Sequence, residues 1–333
     1  MARRESPAAW TYVSGLVAAR EGRLLTHDAF RQLVAEPEPG ALLQRLSGTA
    51  LEDRVPDAAA VRHLDRIAAE TLADCAAELR AVSPSDLATF HVDVQHAFDG
   101  LRRFVADRRA EPDRGASGRK APEADDLWTR VWDDLPADVP EYVRRGVQRV
   151  RAVLPTAADR PELLDAVIDA ECLDALAREA ERRGNDFITG YWRRSRAILG
   201  VESLWRARLL EHKPDVQQAV AAELPDAGLA GALTRADLAD WPDLLGGAVA
   251  GVAPSRLRDL DGATRVRGFV RQAEEGLAEY LRGARSVAFG PERVFAYAIG
   301  MHTEVFNLKL VLGGRWAGVA PELLLERLRP GYV

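Results

Sequence analysis

Apolar residues recur along this chain at three- and four-residue intervals, the spacing of one helical face, and no convincing strand-type alternation interrupts them. Val61, Leu64, Ile67, Leu72, Cys75, Leu79 and Val82 predict one helix, and Ser83, Pro84 and Asp86 read as the capping start of the next. Thr26 is a candidate cap for a helix carrying Phe30 and Leu33, and Val266, Phe269, Val270, Leu277 and Leu281 define another. Near the end, Phe295, Ile299, Val305, Leu308, Val311 and Leu312 share a face behind Pro291, a residue suited to a first helical turn. Glu304 and Asn307 sit one turn apart within that apolar stretch, and Gly313 with Gly314 predicts its stop, while Gly314 and Gly318 also permit a close helix approach. Pro321 and Glu322 then open a short closing helix through Leu323, Leu324, Leu325 and Leu328, ended by Pro330 and Gly331. The expected fold class is all-α.

The helical layout recurs. Asp65 lies 28 residues before Asp93, and Asp169 lies 28 before Ala197, each as helix, polar break, helix. Aligning Asp93, Ala197 and Glu304 places His96, Gly200 and Asn307 three residues further on, with copies 104 and 107 residues apart. That period exceeds a solenoid unit, so the sequence predicts three related helical bundles, over 1–110, 127–232 and 233–333. Between the first two, the charged, Pro- and Gly-rich stretch within 107–126 has no apolar periodicity and reads as a flexible linker, placed at 111–126. A second soft region precedes the helix of Val266 and Phe269, with Trp241 ahead of Pro242 as its expected anchor.

Composition narrows the chemistry. A chain of 333 residues with 47% hydrophobic content can bury substantial cores, and a formal charge of −6 gives no phosphate-backbone footprint, so nucleic acid is not an expected partner. Cys75 and Cys172, on predicted helices, read as reduced packing residues and favour an intracellular setting. The most tempting uncharged run, Leu244 to Ser255, is 12 residues, short of the roughly 18 to 20 that a spanning helix needs. The opening residues carry positive charge without the apolar core of a secretory signal, so membrane association is expected only through partners. No Lys-Ser or Lys-Thr follows a Gly-rich loop, and no paired zinc-type cysteines, His-Glu-x-x-His helix or Gly-x-Ser-x-Gly elbow occurs. No catalytic, cofactor or metal site is therefore expected. His91, Asp93 and His96 have spacings that do not bring all three to one helical face. Asp125 with Asp126, and Asp133 and Asp134 with Asp138, superficially resemble magnesium-binding acidic motifs of helical isoprenoid synthases; Pro136 breaks the second set.

The terminal strings carry a family resemblance. EVFNLKLVLGGRWAG, followed by PELLLERL and PGYV, is similar to the Glu-x-x-Asn-Leu pattern, Gly-x-x-x-Gly exit and final helix of the C subunit of archaeal and bacterial V/A-type ATPases, relative of the eukaryotic V-ATPase d subunit. The amino-terminal YVSGLVAAREGRLLT, led by Tyr12, resembles the family's first helix. Ser14 and Leu16 depart from the common Asn and Arg, and Ala197 and Gly200 from the Asp and Asn expected in the middle copy. The resemblance implies an all-helical funnel with pseudo-threefold symmetry, seated on the proteolipid ring at the cytoplasmic face of the membrane and receiving central stalk subunits D and F. Candidate partner-interface or inter-repeat residues are Tyr12, Asp93, Arg206, Glu304, Asn307 and Arg315. Glu304 and Asn307 read either as holding a partner's backbone, or an arginine such as Arg206 or Arg315, across a junction, or as an internal cap or core network. The alternatives are a magnesium-dependent helical isoprenoid or diphosphate enzyme and a helical scaffold protein.

Overall fold

A computed structural model describes residues 6–114, 124–157 and 161–333, and among them all regular structure is helical. In chain order come α1 (Thr11–Glu21), α2 (His27–Ala35), α3 (Pro39–Gln44) and α4 (Leu64–Val82). Next are α5 (Phe90–Arg114), α6 (Ala124–Asp134), α7 (Glu141–Ala157), α8 (Pro161–Arg182) and α9 (Asp186–Leu209). The shorter α10 (Pro214–Ala221), α11 (Ala227–Arg235), α12 (Trp241–Ala248) and α13 (Ser255–Arg258) precede α14 (Gly262–Arg282), α15 (Pro291–Trp316) and α16 (Pro321–Arg327). The chain divides into two compact units, Met1–Phe90 with Glu274–Val333, and His91–Ala273. The middle of the expected linker, 115–123, lies outside the described residues, while its flanks 111–114 and 124–126 belong to α5 and α6.

The first unit is built on α15. Residues Val294 to Met301 are buried without a break, so this part of the helix is enclosed on every side rather than amphipathic. Further along, Leu308, Val311 and Leu312 join Phe30, Leu33, Val34, Leu42, Leu64, Ile67, Leu324 and Leu328 in one apolar core drawn from α2, α3, α4 and α16. Pro291 stands in the first turn as expected, and Thr26 caps α2 by accepting the Ala29 N–H. Two expected boundaries move. The stretch after α4 forms bends and turns, and α5 begins only at Phe90, whose N–H bonds the Asp86 carbonyl. Gly313 and Gly314 do not stop α15, which runs to Trp316 and gives way to a left-handed Gly318 at φ +71°. The reason is packing: a Cβ on Gly314 would stand 2.4 Å from Leu324 Cδ2, so this glycine lets α16 approach instead of ending the helix.

In the His91–Ala273 unit, α8 and α9 form the principal helix pair, with α7 against α8 and α10 against both. Gly184, at φ +74°, permits the sharp reversal between α8 and α9, and Asn185 caps α9 by accepting the Ile188 N–H at 2.8 Å. Trp241 is fully buried, its ring 5.1 Å from Trp205, which lies 5.6 Å from Phe269. The anchoring expected of Trp241 is thus an aromatic core contact. Cys75 and Cys172 are both free thiols. No described helix is long and apolar enough to cross a membrane.

Candidate functional site

A set of buried polar groups in the first unit surrounds α15. Spacing of three puts Glu304 and Asn307 on one face of the helix, and both are buried, at 4% and 0% exposure. Burial of a carboxylate demands partners, and Glu304 finds two backbone donors far away in sequence. Its Oε2 accepts the Leu25 N–H at 2.7 Å, and its Oε1 the Ala50 N–H at 3.2 Å. Leu25 lies between α1 and α2, and Ala50 between α3 and α4, so one side chain holds two connecting segments against α15. Burial pushes the Glu304 carboxyl above its ordinary range, and the two N–H bonds pull it the other way.

Asn307 grips the segment after α16. Its Nδ2 donates to the Arg329 carbonyl and its Oδ1 accepts the Arg329 N–H, both at 2.9 Å. The Arg329 guanidinium lies 3.8 Å over the ring of Phe306, the residue just before Asn307 on the same helix, a cation–π contact. Further along this segment, the Tyr332 hydroxyl donates to Glu21 Oε1, while Arg293 pairs with Glu21 Oε2 at 2.6 Å. Tyr332 stays protonated, since burial and the Glu21 carboxylate both raise its pKa. Its ring fills the space above Gly300, where a Cβ would come within 2.5 Å. Between these groups remains a cavity of about 10 Å³ lined by Leu25, Phe30, Thr303, Glu304 and Tyr332. That is room for about one water.

The cluster therefore joins chain to chain. Carboxylate and amide are both engaged with this chain's own backbone, which corresponds to the core-network reading of the pair. Arg315 does not meet them: its guanidinium donates to the Glu36 and Pro37 carbonyls at 2.7 and 3.0 Å. Arg206 pairs with Glu202 one turn earlier on α9, at 2.6 Å. Tyr12 is 70% exposed on α1. Asp93 and His96 lie on the exposed side of α5, whereas His91 is fully buried with its ring 6.0 Å from Trp192, so the three diverge as their spacing requires. Asp133, Asp134 and Asp138 are exposed, and the side chains of Asp125 and Asp126 lie outside the described residues. Among the described residues no three His, Cys, Asp or Glu side chains are grouped to hold a metal ion.

Sequence reasoning did not single out Glu21, Arg293 or Tyr332 as a set. Glu21 and Arg293 are 272 positions apart, and no local pattern links them. Fold and cluster together define an all-helical protein whose central helix is clamped to both ends of its own unit. No protein-family model matches the chain, and no curated protein matches it.

Proposed function

We propose that this chain is a non-catalytic central-rotor spacer of a V/A-type proton or sodium ATPase or ATP synthase, joining stalk subunits D and F to the membrane proteolipid ring. The observation that carries the reading is α15. The Glu304, Asn307 and Leu308 pattern through which the sequence resembles the C subunit is buried, and its two polar members clamp three separate segments to one helix. A spacer that passes torque needs stiffness and broad contact rather than catalytic groups, and charge-assisted bonds in a dry setting stiffen the chain they join. The reading takes the protein as three related bundles about a pseudo-threefold axis, with the Asp93, Ala197 and Glu304 helices in equivalent places and a funnel that receives the stalk. Membrane attachment at the cytoplasmic face then comes through partners, and the ATP sites lie on other chains.

Reconstitution tests it. Assembly, ATP hydrolysis and ion pumping are measured separately with and without this subunit; the expected result is loss of pumping and of ring-to-stalk association with hydrolysis retained. Pumping and association that persist without the subunit overturn the proposal. Calorimetry of the purified chain with ATP should show no saturable binding.

A further inference from the structure

A groove of about 460 Å³ lies in the His91–Ala273 unit between the start of α7 and the second half of α8, a volume in the range of small-molecule sites. Tyr142 contributes an aromatic lining, and Arg145, Arg178, Arg182 and Glu179 contribute charge. Two acids here are already committed, while Glu141, also on the lining, is exposed. Glu179 takes Arg182 at 2.5 Å and Arg183 at 2.8 Å, and a single oxygen of Glu171 is approached by both Arg145 and Arg178. Glu171 is well covered, with 12% side-chain exposure, and its close ion pair goes to Arg178. Arg145 is left 3.8 Å from Glu171 and 4.0 Å from Glu141, beyond hydrogen-bond reach of either. Among the described residues, then, a guanidinium with five fixed donors faces a hollow without a close acceptor, and a second guanidinium stands across one shared oxygen from it. An ion pair lacing α7 to α8 would need Arg145 at bonding distance from Glu171, since Glu141 lies on α7 itself. The arrangement instead leaves a planar fork whose natural complement is a bidentate oxyanion.

We infer that the α7–α8 groove binds a small ligand through an oxyanion, phosphate or carboxylate, seated on Arg145 and Arg178 beside the Tyr142 ring. Burial, with Asp93 and Glu179 nearby, raises the Tyr142 pKa, so its hydroxyl remains a neutral donor for the same ligand across the neutral range. This site is independent of the rotor reading and can stand or fall without it.

The test uses the full chain, calorimetry, and NMR of the arginine Nε–Hε groups, with inorganic pyrophosphate and citrate as probes at constant ionic strength. Saturable binding tighter than about 1 mM that shifts the Arg145 Nε–Hε signal is expected. Arg145→Gln and Arg178→Gln should each weaken it about tenfold or more, the loss of one bidentate contact. Arg193→Gln, which removes an exposed arginine paired with Glu181 outside the groove, should leave it unchanged. Arg145→Lys keeps the charge where the Gln variant fails to fold, and should still lose most of the affinity, since an ammonium has no fork. Preference for pyrophosphate identifies a phosphate ligand, and preference for citrate a carboxylate. Absence of saturation with either probe, or equal weakening in Arg193→Gln, overturns the inference and leaves these arginines as helix-lacing groups only.

Discussion

Glu304 concentrates in one side chain the problem of burying charge, and its two backbone donors offset that cost only in part. Glu304→Gln should destabilise the first unit by about 1–3 kcal/mol in urea unfolding, because the amide nitrogen must face either the Leu25 or the Ala50 N–H and leave it unpartnered. The pH dependence adds a second readout. Burial raises the folded pKa of Glu304, so the folded state holds this proton more tightly than the unfolded chain does. Its contribution to stability is therefore largest below the ordinary carboxylate pKa and declines as pH rises from there through the folded value. The Gln variant should lack that decline. His302 titrates with the opposite sense. Burial, with Arg329 beside it, pushes its imidazole down to about 4, so its contribution is complete above the ordinary histidine value of about 6.5 and is lost as pH falls from there towards 4. An NMR titration in which His302 protonates near 6.5 would contradict this.

At the scale of the element, adjacent glycines of α15 separate two uses of the same residue. A Cβ on Gly313 would meet nothing outside its own helix backbone nearer than Leu64 Cδ1 at 3.8 Å, whereas a Cβ on Gly314 meets Leu324 at 2.4 Å. Neither glycine is among those with positive φ. Gly313→Ala should accordingly stabilise the helix by up to about 1 kcal/mol through reduced chain entropy. Gly314→Ala should destabilise by about 1–3 kcal/mol, since it drives the buried Leu324 and α16 outward. Opposite shifts in thermal midpoint would bear this out; equal shifts would show that helix propensity, not packing, governs both. Gly300→Ala addresses the segment after α16. It should displace the Tyr332 ring and speed hydrogen exchange at the Arg329 amide held by Asn307.

For the whole molecule, the two-unit division makes a folding prediction. Residues 91–273 carry their own core around Trp205, Trp241 and Phe269, and expressed alone should give a helical circular dichroism spectrum with a cooperative melt. Residues 1–90 alone should not, because α15 supplies the helix on which α2, α3 and α4 pack. A gradual, non-cooperative melt of the 91–273 piece would sink the first expectation, and a cooperative one from 1–90 the second.

Helix content, the α15 face and the Thr26 cap follow from local rules, namely apolar periodicity and capping chemistry, and these were legible in the sequence. So was the burial of Glu304 and Asn307, since two polar groups one turn apart within an apolar stretch have nowhere else to go. What they bond was not legible. Leu25, Ala50 and Arg329 offer only backbone groups, which every residue carries, and nothing in the sequence marks which of them will arrive. The same limit hid Glu21 with Arg293 and Tyr332, and left Gly314 open between a helix stop and a close approach, a choice that depends on where Leu324 packs. Periodicity and capping are properties of a few consecutive residues and survive in any fold. The choice of partner across hundreds of positions belongs to complementary packing, which exists only once the helices have come together.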